Sequence, residues 1–120
     1  MLKLDLRPNT LLGVSRQTIE LKRCHTFRRR LKGFMGRRSI AAHELLWLQP
    51  CAAVHTFGMR CPLALIFVDR DGRCLRIVEQ ANPNGVYGCR RAHGVIEMRS
   101  RAYAEVVWLW QAIAPLIRQR

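Results

Sequence analysis

Acidic residues are scarce in this 120-residue chain, where eight Asp and Glu face 21 Lys and Arg, and the formal net charge is +13. Lysine is scarce as well, since 18 of the basic residues are Arg and three are Lys. A field of this sign attracts polyanions, and the planar guanidinium group suits phosphates and carboxylates. The charge therefore favours an anionic partner: an acidic protein, an anionic membrane surface or nucleic acid.

Paired cysteine motifs are absent. None of the five cysteines forms a C-x-x-C pair, which excludes a zinc ribbon or a redox dithiol on spacing; they are Cys24, Cys51, Cys61, Cys74 and Cys89. The odd count also argues against a closed set of disulfides. We therefore expect reduced thiols in a cytoplasmic protein.

Long hydrophobic runs are missing too. Asp5, Arg7 and Pro8 stand where the apolar core of a secretory signal would lie. No segment reaches the ~20 apolar residues that a membrane-spanning helix needs. We expect a cytoplasmic chain, with peripheral contact to a membrane as an open alternative.

What the chain does contain is a series of short strand patterns. Leu63–Val68 is apolar without interruption, which is typical of a strand buried on both faces. Asp69–Gly72 follows as a hairpin turn, because a glycine there tolerates a positive φ, and the chain returns antiparallel. Further strand patterns cover segments 17–25, 45–48, 52–57, 86–91 and 95–98.

Two segments have helical spacing instead. Thr26–Arg38 has an N-cap residue, one apolar face and terminal glycines. A second helix, capped by Ser100, covers about residues 101–117. We predict a mainly β (α+β) fold in a single domain, residues 1–120: a small antiparallel, barrel-like β domain with a short basic helix and a C-terminal apolar helix.

Four segments also resemble a known family in their order and spacing. Phe34–Arg37 reads FMGR, His55–Met59 reads HTFGM, Pro62–Gly72 joins an apolar strand to its hairpin, and Val95–Met98 reads VIEM. Together they resemble the motifs of domain of unknown function family 192 over about residues 21–99. The resemblance implies a compact, barrel-like β domain, and it implies no activity, because the family is uncharacterised.

The chain departs from the family pattern at two places. Ala64 stands where the strand motif of the family has an Asp, so any role of that carboxylate is absent here. After the last motif, the chain reads Arg99-Ser100-Arg101 where the family usually has a Gly, and then continues into an unusually apolar helix.

A polar pocket is one candidate site. Arg37, His55, Thr56, Met59 and Glu97 all fall in the motif segments. A His and an Arg beside a buried Glu would bind a small anion or a peptide end. In the alternative interpretation, Glu97 forms an ion pair with Arg37 and ties the basic helix to the last strand.

A catalytic or metal site is a further alternative. Cys51 or Cys61 would be the nucleophile, His55 the base and Glu97 the orienting group. The soft ligands Cys51, His55, Met59 and Cys61 would suit copper or zinc, yet their spacing matches no standard site. We predict no catalytic residue, no metal site and no cofactor.

Basic side chains form a second candidate site, a phosphate-facing patch. No aromatic residues interleave with them in a stacking pattern, so any nucleic-acid binding would be indifferent to sequence. The alternative is a solvated face rich in arginine. The members of this basic patch are Arg28, Arg29, Arg30, Lys32, Arg37, Arg38, Arg90 and Arg91.

The C-terminal helix is a third candidate, because it is apolar nearly all round between Ala102 and Ile117. Such a helix docks on a partner, an anionic membrane or a second copy, or it covers the open side of the β core. The face considered for docking carries Tyr103, Val106, Trp110, Ile113 and Ile117.

These observations combine into one functional prediction. We expect a non-catalytic binding or adaptor module that docks on a protein partner or an anionic membrane surface. Sequence-indifferent nucleic-acid binding and a Cys- or metal-dependent enzyme are the two alternatives.

Overall fold

The structure is a computed structural model of the chain, and it describes residues 1–24 and 33–119. The short basic helix predicted over Thr26–Arg38 lies largely outside these residues. Its described part, residues 33–38, forms turns and no helix. Gly33 and Gly36 adopt φ values of 47° and 82°, and such left-handed backbone ends an α-helix.

Eight strands and one helix make up the described part. The strands are β1 (Leu2–Leu6), β2 (Gln17–Cys24), β3 (Glu44–Leu48), β4 (Ala53–His55), β5 (Leu63–Val68), β6 (Cys74–Ala81), β7 (Val86–Gly88) and β8 (Gly94–Arg99). The helix α1 is Tyr103–Arg118. The mainly β (α+β) class predicted from the sequence is confirmed.

Six of the strands form one sheet in the order β1-β2-β3-β8-β5-β6, and β4 pairs with β7 in a separate two-stranded sheet. Neighbours in the large sheet are antiparallel except β2 and β3, which run parallel. The described strands leave this sheet open, so it is not the barrel that the sequence predicted. Two different strands, β1 and β6, form its edges.

The large sheet separates two apolar layers. Alternate side chains, among them Trp47, Ile66 and Ile96, face α1 on one side. Their neighbours, among them Leu48 and Phe67, face β4, β7 and the loop after β2 on the other side. All six residues of β5 are buried, which confirms the strand with two buried faces. Side chains alternate between the faces of a strand, so β5 contributes to both layers.

The hairpin between β5 and β6 forms as predicted. The Asp69 carboxylate accepts hydrogen bonds of 2.9 Å from the backbone N–H groups of Asp71 and Arg73, and these bonds lower the pKa of Asp69. Gly72 adopts φ of 80°, as the turn requires. The Arg118 guanidinium donates to the Gly72 carbonyl at 3.2 Å and joins the end of α1 to this turn.

The start of α1 differs from the prediction. Ser100 does not cap the helix, because its hydroxyl donates to the Glu79 carbonyl on β6 at 2.7 Å. Ala102 occupies the N-cap position without a side-chain hydrogen bond. Arg101 holds this end instead, donating to the Ala42 carbonyl at 3.1 Å and to the Glu105 carboxylate at 3.2 Å.

Candidate functional site

The loop of residues 33–37, which we call the strap, crosses the sheet face opposite α1. Its Phe34 side chain is buried in the apolar layer of that face. The Gly36 backbone N–H donates to the Gly58 carbonyl at 3.3 Å, and the Met35 side chain contacts Gly58. The strap therefore joins the FMGR and HTFGM segments, which are far apart in the sequence.

Glu97 lies directly beneath the strap. It belongs to β8, between Leu46 of β3 and Leu65 of β5, and keeps 5% of its surface exposed. A Cβ atom built on Gly33 would lie 2.7 Å from Glu97 Oε1, so Gly33 must lack a side chain. Oε1 has no hydrogen-bond partner among the described residues.

The surroundings of Glu97 favour its neutral form. Burial raises the pKa of Glu97 from 4.5 to about 7, and a hydrogen bond from the Phe34 backbone N–H opposes this rise in part. Buried carboxyl groups without a cationic partner hold their proton more tightly, because the low-dielectric interior penalises the charge. Glu97 is thus a buried acid that titrates near neutral pH.

A cavity of about 440 Å³ opens beside the strap, above β2 and β3. The strap forms one wall through Gly33, Phe34, Met35 and Arg37. Alternate residues of β2 and β3 form the floor and the opposite wall. They include Glu20, Lys22, Cys24, Glu44 and Leu46.

The charged groups at the cavity pair in a way that the sequence did not reveal. Arg37 forms an ion pair with Glu44 at 2.8 Å, and both side chains are partly exposed. The predicted ion pair between Arg37 and Glu97 is therefore wrong, because the strap turns the guanidinium outward to the start of β3. Lys22 is exposed and makes no ion pair with a described residue.

The predicted pocket is only partly assembled. Thr56 is buried, and its Oγ1 donates to the Asn82 carbonyl at 2.7 Å and accepts from the Gly85 backbone N–H at 2.7 Å. These bonds fix the turn before β7, so Thr56 is a structural residue. Met59 packs in the apolar layer.

His55 stands apart from the buried carboxyl group. It is exposed and stacks on the exposed Phe57 ring, with centroids 5.5 Å apart. The Cys51 thiol donates to the Ala53 carbonyl at 3.2 Å. Glu97 contacts the strap, so the described contacts do not assemble the Cys–His–Glu arrangement considered from the sequence. The described residues contain no group of three or more potential metal ligands among His, Cys, Asp and Glu.

The structure describes half of the residues in the basic patch. Arg28, Arg29, Arg30 and Lys32 lie outside the described residues. Arg38, Arg90 and Arg91 are exposed, while Arg37 is engaged by Glu44. Its role as a phosphate-binding surface stays a prediction.

The face of α1 considered for docking is already occupied. Val106, Trp110, Ile113 and Ile117 are buried against the six-stranded sheet, with at most 8% of each residue exposed. Only Tyr103 of the five residues is exposed, at 53%. These four side chains belong to the core, because no other element among the described residues covers that face of the open sheet. Docking through them would therefore require α1 to leave the sheet.

Sequence reasoning missed most of the cavity lining. Glu20, Lys22 and Cys24 alternate along β2, which would have placed them on one face. Their meeting with Glu44 and Leu46 depends on the parallel pairing of β2 and β3, which no local pattern reveals. Among the described residues, no helix is long and apolar enough to cross a membrane.

Two crystal structures share this fold. One is a protein of unknown function from Novosphingobium aromaticivorans DSM 12444, with a TM-score of 0.67, 22% identity, and coverage of 78% of this chain and 71% of that one. The other is a proposed transcription regulator from Sinorhizobium meliloti 1021, with a TM-score of 0.66, 18% identity and 79% coverage of both chains. At these identities the likeness concerns the fold alone.

No curated protein sequence matches the chain significantly. The family model of DUF192, the uncharacterized ACR proteins, matches residues 10–107. This match covers most of the chain and includes β2 to β8, the strap and Glu97. The chain therefore belongs to the DUF192 family.

Proposed function

We propose that the chain is a non-catalytic binding module that receives a peptide segment of a protein partner in the cavity beside the strap. The observation that carries this proposal is the 440 Å³ cavity next to a buried carboxyl group with an oxygen that has no partner among the described residues. Ligand sites have volumes of roughly 300–1,000 Å³ and combine apolar walls with a few polar groups.

The composition of the lining supports a peptide as the occupant. Phe34 and Leu46 supply apolar surface, while Lys22 and Glu20 supply charges of both signs. A peptide segment offers matching groups, because it carries apolar side chains, charges, N–H donors and carbonyl acceptors within a short length. Neither a lipid surface nor a nucleic acid backbone needs a concave cavity of this kind.

The net charge of +13 has a separate role in this proposal. Long-range fields accelerate encounters with oppositely charged partners and contribute less to the affinity of the final contact. The exposed Arg38, Arg90 and Arg91 are outside the cavity lining. They favour a partner with an acidic surface around the inserted segment.

The test selects peptides from a display library of random short sequences and maps the selected peptides by NMR. The proposal predicts amide shift changes at Cys24, Phe34 and Leu46. Lys22→Trp places an indole at the cavity wall and should abolish these changes. Glu79→Trp, at an exposed position of β6, is the matched control and should leave them intact.

Vesicles of phosphatidylcholine and phosphatidylglycerol, and a random-sequence oligonucleotide, serve as the competing probes. If either binds while no selected peptide shifts the cavity signals, the peptide proposal is overturned. Peptide binding that is equal in the Lys22→Trp and Glu79→Trp variants would also contradict the assigned site.

A further inference from the structure

Glu97 is an unusual residue to find at the base of an apolar layer. Its register neighbours on β3 and β5 are Leu46 and Leu65, and the strap above it contributes Gly33 and Phe34. None of these residues carries a charge, and one carboxyl oxygen lacks a partner among the described residues. A buried polar atom without a partner destabilises the folded state, so its retention calls for an explanation.

The unpartnered oxygen lies close to the cavity. Gly33 lines the cavity, and Glu97 Oε1 lies immediately behind it, at 2.7 Å from the position of a Cβ on that residue. Because Gly33 has no side chain, the Glu97 carboxyl group can lie directly against backbone that lines the cavity. A small displacement of this backbone would bring Oε1 into contact with a ligand.

The buried Phe34 side chain anchors the strap in the apolar layer, and a few polar interactions hold the rest of it. The Gly36 N–H bond to the Gly58 carbonyl is long, at 3.3 Å. The Arg37–Glu44 pair is solvent-exposed, with side-chain exposures of 49% and 28%. Exposed ion pairs contribute little to the stability of a fold. The third attachment is the Phe34 N–H bond to Glu97 itself.

The charges around the cavity determine which ligand group suits Glu97. Among the described residues that line it, the charged side chains are Glu20, Glu44, Lys22 and Arg37. Arg37 is held by Glu44, so an ionised Glu97 would have no cationic partner among the described residues. A buried carboxylate is best compensated by an opposite charge in hydrogen-bonding contact.

We propose that Glu97 is the anchor of the cavity and binds a cationic nitrogen, an ammonium or guanidinium group, carried by the inserted segment. This inference rests on the proposed peptide-binding function and adds the chemical class of the group that enters. Binding the cation requires the ionised carboxylate, so a neutral Glu97 releases its proton to solvent as the ligand enters. The affinity must then rise with pH through the titration of this group.

The experiment uses n-butylammonium chloride as the probe, with n-butanol and sodium chloride as controls for its alkyl chain and its ionic strength. The readouts are the Glu97 side-chain carboxyl ¹³C signal and the amide signals of Phe34 and Leu46. We expect saturable shifts with the ammonium ion alone, and an affinity about tenfold weaker at about pH 6 than at about pH 8.

Glu97→Gln should abolish saturable binding, whereas Glu79→Gln removes a carboxylate from an exposed position on β6, outside the cavity lining, and should leave it intact. Unchanged affinity in Glu97→Gln, equal affinity at the two pH values, or no saturable binding would each overturn the inference. The pH comparison uses the unmodified chain, so it decides the question even if Glu97→Gln folds poorly. If n-butylammonium does not bind but library peptides still shift the cavity signals, the inference about Glu97 is overturned and the proposed peptide-binding function is retained.

Discussion

Replacing Glu97 by glutamine should remove a pH-dependent loss of stability. The folded chain binds a proton at Glu97 more tightly than the unfolded chain does, because burial raises the pKa from 4.5 to about 7. Between these values the folded state therefore holds more protons, and the free energy of unfolding falls as the pH rises. Above about pH 7 the loss is complete.

The magnitude follows from the two pKa values of Glu97. Each pH unit between 4.5 and about 7 corresponds to about 1.4 kcal/mol, so the loss approaches about 3 kcal/mol. The Glu97→Gln variant would keep the shape of the side chain and an acceptor for the Phe34 N–H, but its amide carries no proton to lose in this range. The difference in unfolding free energy between the variant and the wild type should grow by this amount across the window.

The assay is urea unfolding of both proteins at several pH values, followed by tryptophan fluorescence. Glu79→Gln is the control, since it removes a carboxylate from an exposed position on β6 and should follow the wild type throughout. The reasoning is refuted if wild type and Glu97→Gln lose stability in parallel between about pH 4.5 and pH 7.

Three further predictions concern stability and are checked by the same unfolding assay. Gly36→Ala should lower the free energy of unfolding by about 1–2 kcal/mol, because residue 36 has a left-handed backbone. Gly33→Ala should lower it further, because the new Cβ would also meet Glu97. Equal losses in the two variants would contradict the close contact between Gly33 and Glu97. Thr56→Val should cost about 1–3 kcal/mol by leaving buried backbone groups unpaired, whereas Thr10→Val, at an exposed position, should be nearly neutral. Trp110→Ala should cost about 3–5 kcal/mol if α1 is core, and a neutral effect would support an undocked helix.

Local patterns in the sequence were sufficient for most individual elements. Leu63–Val68 is apolar at every position because β5 contributes to both layers, and the hairpin at Asp69–Gly72 follows from side-chain capping and a glycine. The C-terminal helix was also recognised. Its composition did not distinguish core from docking surface, because both environments select the same apolar residues.

The candidate site was less accessible to sequence reasoning because it depends on non-local pairing. β8 lies between β3 and β5, and β2 runs parallel to β3, so the cavity joins segments that are distant in the chain. Glu97 was identified as a candidate, yet its predicted partner Arg37 pairs with Glu44 instead. The closeness of Gly33 to Glu97 has no signal in a single sequence, since the same glycine also fits a helix terminus.

The most direct test of this account is the pKa of Glu97 itself. A pH titration of its side-chain carboxyl carbon by ¹³C NMR in the folded, unliganded chain measures that quantity at the one residue concerned. We expect an inflection at about pH 7. An inflection at the ordinary value of 4.5 would contradict this expectation, because Glu97 would then be solvated or paired with a cation, and its Oε1 would not be a buried atom that lacks a partner among the described residues.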